Sequence, residues 1–89
     1  MRAARMSETA AVRGVLIPRL AAVIGVDESV VTDDLELATL GLSSFEVMEM
    51  IYDAEDALDA VFPEEALTNV TTVGQLVGAM AAEMEQRAV

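Results

Sequence analysis

The sequence predicts an all-α domain, a four-helix bundle of three main helices plus a short third one, with a long loop after the first helix. Three observations carry this. Apolar residues recur every three or four positions, no stretch alternates with period two over a useful length, and capping signatures precede the apolar runs. Apolar residues make up 54% of the chain and aromatics 3%, so the core is built from Val, Leu, Ile, Met and Ala.

Ser7 with Glu8 opens the first helix, and Val12, Val15, Leu16, Leu20, Val23 and Ile24 keep one face of it apolar until Gly25 stops it. Pro18 deletes the hydrogen bond to the Gly14 carbonyl, but the apolar spacing continues through it, which favours a kink over a break. Residues 26–42 then read as a long ordered loop, acid-rich and pinned by Val30, Leu35, Leu37 and Leu40. It is no calcium hand: counted from Asp27, Thr32 stands where a glycine is needed and Ala38 where the closing glutamate belongs.

Ser43 and Glu46 have the spacing of a capping box, and good helix formers run on to about Leu58. After Pro63, the piece Glu64 to Leu67 has length for a turn or two. Thr72 and Gln75 form a second capping box, opening a last helix with Val73, Leu76, Val77, Met80 and Met84 on its apolar face.

With 89 residues there is room for one domain, expected over residues 7–89, with residues 1–6 as an N-terminal extension or an upstream start. No apolar run follows Arg2 and Arg5 that would serve as a signal peptide or a membrane span, so the cytoplasm is the expected location. Sixteen acids against five arginines give a formal charge of -11. Such a surface repels nucleic acid and anionic membranes, attracts basic protein patches, favours a monomer and makes stability depend on salt. The chain has neither cysteine nor histidine, which removes thiolate nucleophiles, disulfides, the usual general base and the usual zinc ligands. No metal site and no catalytic residue is expected. A carboxylate-pair enzyme is disfavoured as well, because the acids lie on convex helix surfaces.

The second helix carries more apolar surface than a bundle of this size can bury. Val47, Met50, Ile51, Ala54 and Leu58 form the core stripe, while Phe45, Met48 and Tyr52 form another, rotated by roughly 100° because each residue advances that far around the axis. Glu46, Glu49, Asp53, Glu55 and Asp56 border this second strip. Gap-filling beside a solvated acidic face would explain it plainly, but the start of the same helix argues for more. Ser44 lies at or next to the first helical position, where unpaired amides and the positive end of the dipole favour an attached phosphate. Gly41 lets the backbone turn just before it.

These residues resemble the acyl carrier protein family, whose signature is a Gly-x-Asp-Ser-Leu run at the start of the second helix, followed by an acidic helix. Here the run reads Gly41-Leu42-Ser43-Ser44-Phe45, and Ile24-Gly25-Val26, Phe62-Pro63-Glu64-Glu65 and Val70-Thr71-Thr72-Val73 also fall at family spacing. The resemblance covers about residues 7–84 and implies an acyl-carrier-protein-like bundle with no chemistry of its own. It further implies that Ser44 accepts 4'-phosphopantetheine from a phosphopantetheinyl transferase using coenzyme A and Mg²⁺, and that the arm's thiol holds acyl cargo as a thioester. Glu46, Glu49, Glu55 and Asp56 match acidic positions that meet basic patches on a ketosynthase or other acyl-processing enzymes, and Phe45, Met48 and Tyr52 match the apolar contacts on the same helix. Ile51, Ala54, Leu67, Val70, Leu76 and Met80 are the implied cargo lining, and they are also plain core candidates.

Two residues depart from the family run. Ser43 replaces the usual aspartate and Phe45 the usual leucine, which points away from a housekeeping fatty acid synthase toward a dedicated polyketide, secondary-metabolite or aminoacyl pathway. An aminoacyl or peptidyl carrier and an unmodified acidic interaction module remain open as alternatives, and Ser43 is a second hydroxyl beside the implied acceptor.

Overall fold

A computed structural model describes residues 7–87, so the extension expected over residues 1–6 lies outside the described residues. Three α-helices, α1 (Glu8–Ile24), α2 (Ser44–Leu58) and α3 (Val73–Arg87), are joined by segments holding 3₁₀ turns at Glu28–Val30, Leu37–Leu40 and Glu64–Leu67. The last of these is the expected short third helix. Among the described residues there is no strand, only an isolated antiparallel bridge between Glu36 and Thr72, and no helix is long and apolar enough to cross a membrane.

The helix ends follow from their caps. Ser7 Oγ accepts from the Ala10 N–H at 3.1 Å, and Gly25, at φ 77°, sends its N–H to the Ala21 carbonyl at 2.8 Å. The helix runs unbroken through Pro18, because Val12, Leu16, Ile17 and Leu20 hold its buried face on both sides of the ring. At the end of α2 the left-handed residue is Asp59, with φ 52° and no glycine to ease it. Asp59→Gly relieves that backbone and removes an acid from the negative end of the helix dipole. It should stabilise the fold by about 0.5–1 kcal/mol, read as a higher urea midpoint.

α1 packs against both α2 and α3, and α3 also packs on the turn Glu64–Leu67. Val12, Leu16 and Leu20 meet Met50, Ile51 and Ala54 of α2 and Val73, Leu76, Val77 and Met80 of α3 in one cluster, closed by Val31 and Phe62. Residues 26–42 contribute differently from the expected pattern. Asp27 caps the turn Glu28–Val30, and the chain leaving that turn aims Val31 at the core, while Val30 stays 51% exposed. Leu35, Leu37 and Leu40 are half-buried against the cluster as expected. The Ser29 hydroxyl and then the Ser29 N–H donate to the Asp27 carboxylate, at 2.6 and 3.0 Å, and hold its pKa below the ordinary aspartate value.

The same loop supplies what the start of α3 lacks. The N–H groups of Val73 and Gly74, unpaired within the helix, donate to the carbonyls of Leu35 (2.9 Å) and Asp33 (2.8 Å), and the Leu37 N–H returns a bond to the Thr71 carbonyl (2.9 Å). Thr72 caps α3 by accepting from the Gln75 N–H at 3.2 Å. The reciprocal half of the expected capping box goes elsewhere: Gln75 Oε1 accepts from the N–H and hydroxyl of Thr71, one residue earlier. Arg13 of α1 pairs with Asp33 and ties the loop from its other side. Gly74 makes the close approach possible, since a Cβ there would lie 3.0 Å from Asp33 Cβ and 3.1 Å from its carbonyl oxygen. Gly74→Ala should therefore cost about 1–3 kcal/mol in chemical denaturation, as overpacking against main chain does.

Candidate functional site

The start of α2 is set by three residues. Gly41 takes a left-handed φ of 73° after the turn Leu37–Leu40, Leu42 is half-buried against the core, and Ser43 is the N-cap. Ser43 Oγ accepts from the Glu46 N–H at 3.1 Å while the Ser43 N–H donates to Glu46 Oε1 at 2.8 Å, a complete capping box. The two adjacent hydroxyls are thereby distinguished. That of Ser43 is engaged in the cap, whereas Ser44, the first residue of the helix, is exposed and its side chain makes no hydrogen bond among the described residues. A group esterified to Ser44 would meet the positive end of α2 without disturbing the cap.

Along α2 both expected stripes are present. Met50, Ile51 and Ala54 are buried, Val47 and Leu58 half-buried, and on the other side Phe45, Met48 and Tyr52 are 70%, 47% and 57% exposed. Glu46, Glu49, Asp53 and Asp56 are exposed around this strip. Arg19 of α1 lies 3.9 Å from Asp53, the one α2 acid with a cation in reach among the described residues. Glu55 differs from its neighbours: it is half-buried, and its Oε2 accepts from the Phe62 N–H at 2.8 Å.

Beside the strip lies an apolar groove of about 480 Å³ between α2 and the segment that follows it, lined by Met48, Ile51, Tyr52, Glu55, Phe62, Glu64, Leu67 and Thr68. Of the six residues implied as cargo lining, Ile51 and Leu67 line this groove and Val70 is half-buried. Ala54, Leu76 and Met80 are packed into the closed core, at 0%, 3% and 0% exposure. Met48 and Tyr52, first marked as partner contacts, also face the groove. Phe62, Glu64 and Thr68 join it without having been given a site role, although an aromatic next to a proline in an aromatic-poor chain is a usable signal for Phe62.

The arrangement has an exposed hydroxyl at a helix start, an apolar strip with an acidic border and a groove open to the same side. Met48 and Tyr52 belong to both the strip and the groove, which joins the two apolar features on one side of α2. A family model described as "Phosphopantetheine attachment site" matches residues 15–80, a span that takes in most of α1, all of α2 and the core half of α3.

Proposed function

The chain belongs to the phosphopantetheine-attachment family of carrier domains, which hold 4'-phosphopantetheine covalently, and on that premise we propose that it is an acyl carrier with Ser44 as the attachment point. The free, exposed hydroxyl of Ser44 at the first position of α2, next to a Ser43 hydroxyl already committed to the cap, is the observation that carries this. When bound, the arm supplies a thiol that holds cargo as a thioester. The chain's own residues do the rest.

In the site of a phosphopantetheinyl transferase with Mg²⁺, Ser44 Oγ would attack the pantetheine-side phosphorus of the coenzyme A pyrophosphate. The new Ser44 phosphoester holds the arm, the pyrophosphate P–O bond breaks, adenosine 3',5'-bisphosphate leaves and the hydroxyl proton is released to the transferase or solvent. Phe45, Met48 and Tyr52 give that enzyme, and the acyl-processing enzymes that follow, an apolar contact. Glu46, Glu49 and Asp56 steer their basic patches toward it, which gives fast and short-lived encounters. The groove takes the acyl chain against Ile51, Leu67 and Phe62, and its apolar character favours an acyl over an aminoacyl cargo. Ser43 and Phe45, in place of the family's aspartate and leucine, favour a dedicated polyketide or other secondary-metabolite pathway, served by a monomer in the cytoplasm.

The intact mass of the protein, taken after incubation with coenzyme A, Mg²⁺ and a transferase of broad specificity, tests the reading. One added phosphopantetheine is expected. No addition, with the transferase active on a control carrier, would leave an unmodified acidic interaction module as the better account.

A further inference from the structure

One residue organises the whole passage from α2 to the groove floor. The carbonyl of Glu55 accepts from the N–H groups of Asp59 and Ala60, which closes the helix, and its side chain then reaches past that turn to the N–H of Phe62. Phe62 is 4% exposed, lies in the core cluster and forms part of the groove. Its N–H belongs to no helix, so the Glu55 carboxylate is the acceptor that satisfies it. The two cations whose side chains are described are occupied elsewhere, Arg13 with Asp33 and Arg19 with Asp53. Among the described residues, Glu55 has in the Phe62 N–H a partner that its exposed neighbours Glu49 and Asp56 lack.

We propose that Glu55 is a positioning residue, which fixes Phe62 as the floor of the groove through the Phe62 N–H, and that its reach and acceptor oxygen matter more than its charge. This departs from the role of a surface acid offered to basic partners. A hydrogen bond donated by a main-chain N–H to a half-exposed carboxylate is strong enough to order a short segment, but not to decide whether the domain folds. Its loss is felt between residues 60 and 68, while the α1–α3 core persists. That the ordered floor serves to shelter acyl cargo rests on the carrier reading, but the bond itself does not.

Three substitutions separate the two roles. Glu55→Gln keeps the reach and an acceptor oxygen but removes the charge, Glu55→Asp keeps the charge but is one methylene too short, and Glu55→Ala removes both. Amide hydrogen exchange on the unmodified protein reads the outcome without any loading of Ser44, so a failure here is distinct from a failure of the carrier reading. Phe62 should exchange roughly tenfold faster in the Asp and Ala variants, as expected for one lost hydrogen bond, with Leu16 and Met80 unchanged, and Gln should restore the wild-type rate to within about threefold. Should the Ala variant fail to fold, the comparison of Gln with Asp still decides. Faster exchange at Phe62 in the Gln variant with Asp like wild type, or wild-type rates in all of them, overturns the proposal.

Discussion

Ser44→Ala is expected to abolish phosphopantetheine loading altogether, while Ser43→Ala, one position away, should load fully and lose stability instead. The two hydroxyls do different work. Ser43 Oγ satisfies the Glu46 N–H and the Glu46 carboxylate satisfies the Ser43 N–H, so alanine at 43 leaves a helix-start amide unpaired and costs about 1 kcal/mol, within the 0.5–2 kcal/mol that such caps are worth. Ser44 sits inside the first turn, exposed, and alanine is a good helix former there, so the fold should shift by less than about 0.5 kcal/mol. Intact mass and a urea titration on both variants form a double dissociation. Loading that survives in Ser44→Ala and disappears in Ser43→Ala would move the acceptor to the capping residue and sink the assignment.

The largest effect on stability is expected from Leu16→Ala. Leu16 has 0% of its surface exposed and sits on α1, which packs on both other helices, so its loss opens a void at the centre of the cluster. Such a truncation costs about 2–5 kcal/mol. Small domains have total stabilities at the low end of roughly 5–15 kcal/mol, and a charge of -11 on 89 residues lowers the margin further. The variant should lose cooperative unfolding by circular dichroism in low salt and recover part of it when salt screens the acids. A midpoint shift worth less than about 1 kcal/mol would mean that the neighbouring Leu, Met and Val side chains close the void.

Much of this was legible from residue type and spacing. Ser7, Gly25 and the Ser43–Glu46 pair mark helix ends because each has a specific chemical task there, and the angle between the Met50 stripe and the Phe45 strip follows from the helical repeat. Other features leave a weaker trace. The loop is held to α3 by main-chain bonds accepted at Leu35, Asp33 and Thr71, and no side-chain pattern at those three acceptors marks them. Gln75 has two threonine neighbours to serve, and spacing alone does not choose between them. Asp59 adopts a left-handed φ where glycine would have announced the turn. An apolar stripe tells which face points inward, not whether space remains beneath it. Ala54, Leu76 and Met80 therefore read the same as Ile51 and Leu67, although the first three are sealed and the other two border the groove.

The aromatic-poor composition has an optical consequence. The chain has one tyrosine and no tryptophan, and that tyrosine, Tyr52, stands 57% exposed on the rim of the groove and within the strip. Absorbance near 280 nm and tyrosine emission of the whole domain therefore come from a single ring, placed where the proposed carrier function would bring cargo and partner together. On the proposed reading, an acyl chain entering the groove would remove water from that ring and a docking enzyme would cover it, and either event should change its emission and its accessibility to a soluble quencher. No label has to be introduced to follow cargo in the isolated domain, and in a complex the signal stays readable where the partner contains no tyrosine or tryptophan.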